Sequence, residues 1–299
     1  HNYCNRTCWF CPNAQIDRRS SVILLAENTY NKILSNLQEI DYSQTLVWSR
    51  YHEALAHPSI VNRLAKARKL LPNAYLALIS NGDYLDHEML NQLEAAGLDR
   101  LMLDLYLTEG KERDKEEINK GLEKFQSRTG LGIEEIKGEK YNYNLTGTNI
   151  KITMGIPFYN HENLSSRAGL VEHPQFQNYH RKSICFYPLR SITIDYNGKG
   201  VLCCQTRSDA TKHKEAIIGD LSESSYTIFH LYRDMSIPRH YLFTYGFKKG
   251  VCEKCNINDD VPMIYARYNF LTKLIQQIPG IDKAFNRLHS LRKQTRRWE

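Results

Sequence analysis

Three of the chain's eight cysteines, Cys4, Cys8 and Cys11, fall within eight residues, and two more form Cys252-Glu-Lys-Cys255. Short spacings of this kind turn thiols inward on one loop, as metal sites require. The others are Cys185, Cys203 and its neighbour Cys204. A disulfide framework is not needed in a chain of 299 residues with 41% apolar residues. Zinc prefers four tetrahedral ligands, yet the first group offers three thiolates, with His1 the only close imidazole. Three thiolates suit a [4Fe-4S] cubane whose fourth iron stays open to an outside ligand. A zinc loop or a set of redox thiols is the competing reading.

Cys4-Asn-Arg-Thr-Cys8-Trp-Phe-Cys11 resembles the C-x3-C-x2-C signature of the radical SAM superfamily, including the aromatic residue before the last cysteine. The resemblance implies that the open iron chelates the amino and carboxylate groups of S-adenosylmethionine, with Phe10 near the adenine. It also implies an α/β fold: a partial (β/α)6, TIM-like barrel whose first strand would precede His1. Tyr51-His52-Glu53 occupies the place of the family's Gly-Gly-Glu-Pro segment. Glu53 matches and would receive the ammonium of S-adenosylmethionine. The bulkier Tyr51 and His52 would turn toward substrate, which makes His52 a catalytic candidate. Ser80-Asn81-Gly82-Asp83 resembles the segment that meets the methionine or ribose part, so Ser80 and Asn81 are cofactor-binding candidates; taken alone, Asn-Gly-Asp is a plain turn. Asn163 to Gly169 resembles an element of relatives that carry an extra cluster domain, and would bring Arg167 to the active site as a forked clamp.

Cys185 to Cys203 reads as two short strands about the Asn197-Gly198 turn, with cysteines bracketing the hairpin. Cys252 and Cys255 add two ligands, so four thiolates fill one site. With Ile218-Gly219-Asp220-Leu221, this pattern resembles the twitch domain, a shortened relative of the SPASM domain, and implies a second [4Fe-4S] cluster. A cluster held by four thiolates has no open iron, and so moves electrons or holds shape. Zinc is again the alternative, and Cys204 is expected to pack.

The elements needed to position these residues are legible as alternating periodicities. Helices are expected at Thr29 to Ile40, Ser59 to Leu71 and Met89 to Ala96, the last stopped by Gly97. Strands are expected at Thr45 to Trp48, Ala74 to Ser80 and Arg100 to Leu107, giving a parallel α/β sheet. Reacting groups of such folds gather at the strands' carboxyl ends, where Tyr51-His52-Glu53, Ser80-Asn81 and the stretch after Leu107 lie. The densely charged stretch Glu109 to Gly138 reads as an exposed helix with a mobile approach, its narrow apolar face made by Ile118, Leu122 and Phe125. Lys151 to Phe158 is a further strand, and a helix is expected near Tyr226 to Asp234. The division expected is a core at 1–170, an auxiliary iron–sulfur α+β domain at 171–261 and basic helices at 262–299, split into Pro262 to Ile278 and Ile281 to Trp298.

The net charge of +7 is concentrated in that tail, where residues 281–299 hold six cations and two anions. The body therefore lacks the charge of a nucleic-acid-binding surface. No apolar run approaches the roughly 20 residues of a membrane span, and no signal-like leader opens the chain, so a cytoplasmic location is expected. The chain begins at His1, so further residues are expected beyond one or both ends. The combined expectation is an enzyme that cleaves S-adenosylmethionine reductively and takes hydrogen from a small polar, sugar- or cyclitol-like substrate, served by an electron donor such as flavodoxin or ferredoxin. A peptide substrate is the alternative, and a zinc-site binding protein the reading from a different class.

Overall fold

The computed structural model describes residues 1–160, 163–244 and 246–257. The expected tail helices lie outside these residues. Six strands, β1 (Thr45–Trp48), β2 (Tyr75–Ser80), β3 (Arg100–Asp104), β4 (Gly132–Glu135), β5 (Asn142–Thr146) and β6 (Lys151–Gly155), form one open sheet in the order β1-β2-β3-β6-β5-β4. The run β1-β2-β3-β6 is parallel, and β5 and β4 continue it as an antiparallel hairpin.

Helices α1 (Glu27–Gln38), α2 (Ser59–Leu70), α3 (His87–Ala95) and α4 (Lys115–Thr129) cover one face of this sheet. Their stripes, among them Leu34 and Leu37, Leu64 and Ala67, Leu90 and Leu93, and Ile118 and Phe125, meet Leu76, Leu78, Leu101, Leu103, Ile152 and Met154 from the strands. Period two turns the alternate residues to the opposite face, which leaves Val47, Tyr75 and Ile79 exposed there. Asp86 and Asp114 cap α3 and α4 by accepting from the amides of Met89 and Glu117.

Two expectations need revision. The charged stretch 109–138 is not one helix: α4 ends at Gly130, whose φ of 75° a side chain would resist, and the chain then re-enters the sheet as β4. The strands expected to run to Leu107 and Phe158 stop at Asp104 and Gly155.

Beyond the sheet, α5 (Tyr187–Arg190) leads into a three-stranded antiparallel sheet of β7 (Thr193–Ile194), β8 (Lys199–Val201) and β9 (Ile217–Asp220). Gly198, at φ 84°, makes the turn between β7 and β8. Helices α6 (Ile228–Asp234) and α7 (Ser236–Phe243) follow. Leu221, Ile228, Leu231 and Met235 join the same apolar core as α1, and the Ile228 amide donates to Asn36 Oδ1. Packing is therefore continuous from the large sheet into the unit that carries the later cysteines.

Candidate active site and a second cysteine cluster

The loop of Cys4, Cys8 and Cys11 lies across the carboxyl ends of β1 and β2. The Glu53 amide donates to the Tyr3 carbonyl at 2.9 Å, and Asn13 Nδ2 donates to the Tyr51 carbonyl at 3.2 Å. Past the end of β2, Asp83 accepts from Asn5 Nδ2 at 2.7 Å and from two guanidinium nitrogens of Arg6 at 2.6 Å each. Between Cys8 and Cys11 the loop closes as a tight turn, the Cys11 amide donating to the Cys8 carbonyl.

Burial pushes the thiols of Cys4 and Cys11 up, and that of Cys8 to about 11, with mutual repulsion adding to the rise at Cys4 and Cys8. Arg6 acts in the opposite direction on Cys8, as do Arg167, Arg207 and Arg18 on Cys11. Thiols that resist ionisation, ringed by guanidinium groups, form a donor set that becomes thiolate when a cationic centre arrives. Among the described residues no three His, Cys, Asp or Glu side chains converge to chelate a single ion. A cubane instead distributes its thiolates over separate irons. The donor set fits such a centre.

Glu53 is buried at 1% exposure at the end of β1. Its Oε1 accepts from Ser80 Oγ at 2.6 Å and the Leu55 amide at 3.0 Å, and its Oε2 accepts from the Asn81 amide at 2.7 Å. Burial raises its pKa against the pull of these three bonds. Glu53, Ser80 and Asn81 are thus one hydrogen-bonded unit, and Asn81 Nδ2 extends it to Asn5 of the cysteine loop at 2.8 Å. Phe10 stacks on Tyr159 at 3.7 Å and on Tyr106 at 5.9 Å between ring centres.

Arg50 and Tyr51 both adopt positive φ, 84° and 42°, and this bend sends neighbouring side chains apart. The Tyr51 ring lies under the guanidinium groups of Arg50 and Arg207, and its hydroxyl donates to the Gln205 carbonyl at 3.1 Å. His52 packs edge-on against the His1 ring at 4.8 Å, and burial holds its pKa down at about 3. The structure does not pair His52 with Arg167. Arg167, Ala168 and Gly169 are three successive residues at positive φ, a strained turn that directs the Arg167 side chain inward. Its Nη1 donates to Gln205 Oε1 at 3.3 Å, while its buried Nε has no hydrogen-bond partner among the described residues. Asp104, at the end of β3, is half-buried, and desolvation raises its pKa; the Tyr106 hydroxyl and Arg167 oppose the rise.

Cys185, Cys203, Cys252 and Cys255 line one small pocket together with Arg181, Gln205 and Thr206. Burial pushes the Cys203 thiol well up, and that of Cys252 to about 12, with the neighbouring thiols adding to the rise in each case. Cys204 points elsewhere: its carbonyl accepts from Arg50 and its sulfur from Gln205. Asn256 ties the Arg167 segment to the last cysteine loop, accepting from the Ser166 amide at 2.8 Å and donating to the Leu164 carbonyl at 2.9 Å.

Sequence reasoning did not identify Arg6 with Asp83, the partners of Phe10, Asp104, Arg207 or Arg181. Arg6 stands inside the cysteine motif and Asp104 ends an apolar strand, so position offered a signal for these two. Arg207, Arg181 and Asn256 gave none, because their partners are distant in sequence.

Residues 1–107 match the family model of the Radical SAM superfamily. An S-adenosyl-L-methionine-dependent 2-deoxy-scyllo-inosamine dehydrogenase of Niallia circulans is 24% identical over 103 residues, 34% of this chain and 41% of that protein. The aligned part thus spans less than half of that relative's length. Among solved structures, BtrN in complex with AdoMet and 2-DOIA superposes with a TM-score of 0.58 at 18% identity, covering 86% of this chain and 89% of BtrN. Selenomethionine BtrN in an open conformation gives 0.54 at 18% identity, over 85% and 88% of the two chains. The first third of the chain is therefore similar to the radical SAM superfamily, and the chain as a whole shares its fold with BtrN.

Proposed function

We propose that this chain is a radical SAM oxidoreductase that oxidises a small hydroxylated ring, of the sugar or aminocyclitol class, using two [4Fe-4S] clusters. The observation that carries the reading is the three-cysteine loop fixed beside Glu53 at the carboxyl ends of the parallel strands. When bound, the first cluster supplies one electron to S-adenosylmethionine, yielding methionine and a 5'-deoxyadenosyl radical that removes a hydrogen atom from substrate carbon.

The protein's residues position and shield these groups. Cys4, Cys8 and Cys11 would hold the first cluster. Phe10, Tyr106 and Tyr159 supply flat apolar faces suited to adenine. The carboxylate of Glu53, preset by Ser80 and Asn81, suits the cosubstrate's ammonium. Arg167, with its unpaired buried Nε, is the side chain assigned to substrate oxygen. His52, whose ring faces His1, has no role in this reading.

Taking one hydrogen atom from a carbinol carbon leaves a radical that must still lose one proton and one electron to become the ketone. Cys185, Cys203, Cys252 and Cys255 would hold a second cluster able to accept that electron, and solvent would take the proton. A flavodoxin or ferredoxin would renew the first electron. The family match, the shared fold and the relative's substrate support this reading.

The test uses anaerobically reconstituted, reduced protein with S-adenosylmethionine and 2-deoxy-scyllo-inosamine deuterated at its carbinol carbons. Deuterium should appear in 5'-deoxyadenosine, with about eight irons per chain. A fully iron-loaded protein that forms unlabelled 5'-deoxyadenosine and no ketone would exclude this substrate class.

A further inference from the structure

Two cations are buried against the second cysteine group without a counter-ion. Arg181 is 2% and Lys248 4% exposed. Arg181 donates only to main-chain carbonyls: Ser183 at 3.2 Å, Ile184 at 2.8 Å, Cys255 at 3.1 Å and Ile257 at 2.6 Å. Lys248 Nζ donates to the carbonyls of Tyr241, at 3.1 Å, and Thr244. The two residues are also linked directly, the Lys248 amide donating to the Arg181 carbonyl at 2.8 Å. Among the described residues no carboxylate forms an ion pair with either side chain.

Buried cations are ordinarily paired, because carbonyl dipoles offset only part of the lost hydration. Here the nearby groups able to become anions are the cysteine thiols and two phenols, Tyr179 near Arg181 and Tyr241 under Lys248. Arg181 lines the pocket formed by all four, and Arg181 and Lys248 both favour the thiolate form of Cys252. Arg181 and protonated Lys248, whose pKa burial lowers to about 8, supply two positive charges to match the two negative charges of an oxidised [4Fe-4S] centre on four thiolates.

We propose that Arg181 and Lys248 raise the reduction potential of the centre held by Cys185, Cys203, Cys252 and Cys255, making it a readier electron acceptor. The inference rests on the two-cluster reading above. Reduction adds one electron and no proton, and the donor is the substrate-derived radical. Positive charge held in a poorly solvated site stabilises the more negative reduced form more than the oxidised one. The side chains have separable tasks. Arg181 braces the chain before Cys185 to the loop after Cys252 through its four bonds, whereas Lys248 contributes mainly charge.

The test uses the full-length chain with Cys4, Cys8 and Cys11 all replaced by alanine, so that only the second centre assembles. It is reconstituted anaerobically with iron and sulfide and titrated with dithionite under spin-resonance detection. Lys248→Met should lower the reduction equilibrium constant at least tenfold, a fall of about 59 mV for one electron. Lys248→Arg should retain the parent midpoint. Thr244→Glu adds a carboxylate at the residue whose main-chain carbonyl accepts from Nζ, giving up the bond from the Thr244 hydroxyl to the His240 carbonyl, and should lower the midpoint even if Lys248→Met fails to assemble. A parent with about four irons whose midpoint is unmoved by Thr244→Glu overturns the inference alone. A parent that binds no iron overturns the two-cluster reading and this inference with it.

Discussion

Arg207 Nη1 donates to Asn13 Oδ1 at 2.9 Å, so a side chain from the later cysteine unit holds the turn that leaves Cys11. Arg207 is fully buried; it also bonds both oxygens of Asp209, and its guanidinium lies over the Tyr51 ring. The link joins the two cysteine groups mechanically, since the same peptide run carries Cys203 and Gln205. Replacing Arg207 by methionine should cost about 3 kcal/mol, because Asp209 keeps only Arg18 as a buried partner and Asn13 loses its donor. Urea unfolding of the iron-free protein reads this, and an unchanged midpoint would contradict the structural role.

Asp83 anchors the first cysteine loop through Arg6. Burial raises its pKa, but the bonds from Arg6 and Asn5 outweigh burial and hold it below the ordinary carboxylate range. A carboxyl group depressed in the folded state adds stability above its unfolded pKa and loses it as the pH falls through the folded one. The iron-free protein should therefore lose stability below about pH 4. Asp83→Asn should lower the plateau stability by about 1–2 kcal/mol and flatten that acid limb. Melting curves from pH 7 to 2.5 check this; an acid limb identical in both proteins would assign the loss elsewhere.

The helical and parallel-strand parts of the fold were legible because their apolar periods are strong. Leu34 and Leu37, or Leu101 and Leu103, each report one buried face. The β4-β5 hairpin was missed because Glu134, Glu135, Lys137, Glu139 and Lys140 dominate its composition. Tyr143 and Leu145, the two buried residues of β5, carried a period-two signal too short to stand out. At the site, cysteine spacing and Glu53 were readable, since ligand chemistry restricts residue type. His52 is a candidate only through its position in a motif, and its contact with the His1 ring follows a left-handed backbone at Arg50 and Tyr51 that sequence spacing does not encode.

The hydrogen-bonded unit of Glu53, Ser80 and Asn81 yields a second kind of expectation. Glu53→Gln turns an amide N–H toward one of the donors now satisfied by the carboxylate, a loss of about 1–3 kcal/mol. Ser80→Ala removes one bond and costs about 1 kcal/mol. In reconstituted protein, S-adenosylmethionine binding should weaken at least tenfold for Glu53→Gln and much less for Ser80→Ala. Equilibrium dialysis separates the two; equal, small effects would remove Glu53 from the cosubstrate site.

Close packing between β8 and α6 gives a check on the later unit. A Cβ at Gly200 would stand 2.5 Å from both terminal methyl groups of Leu231. Gly200→Ala should destabilise by about 1–3 kcal/mol. Gly138, whose added Cβ would meet nothing within 4 Å, carries only the left-handed backbone penalty, about 1–2 kcal/mol. Pairing each change with Leu231→Ala resolves them: relief of the Gly200 defect alone is the expected outcome, and relief of neither would mean that α6 packs differently.

The most direct measurement is the yield of 5'-deoxyadenosine from anaerobically reconstituted protein given dithionite and S-adenosylmethionine. The account predicts that it forms, that it disappears when Cys4, Cys8 or Cys11 is replaced by alanine, and that Cys252→Ala diminishes substrate oxidation far more than cleavage. Absence of 5'-deoxyadenosine from a protein carrying its full iron complement would contradict it.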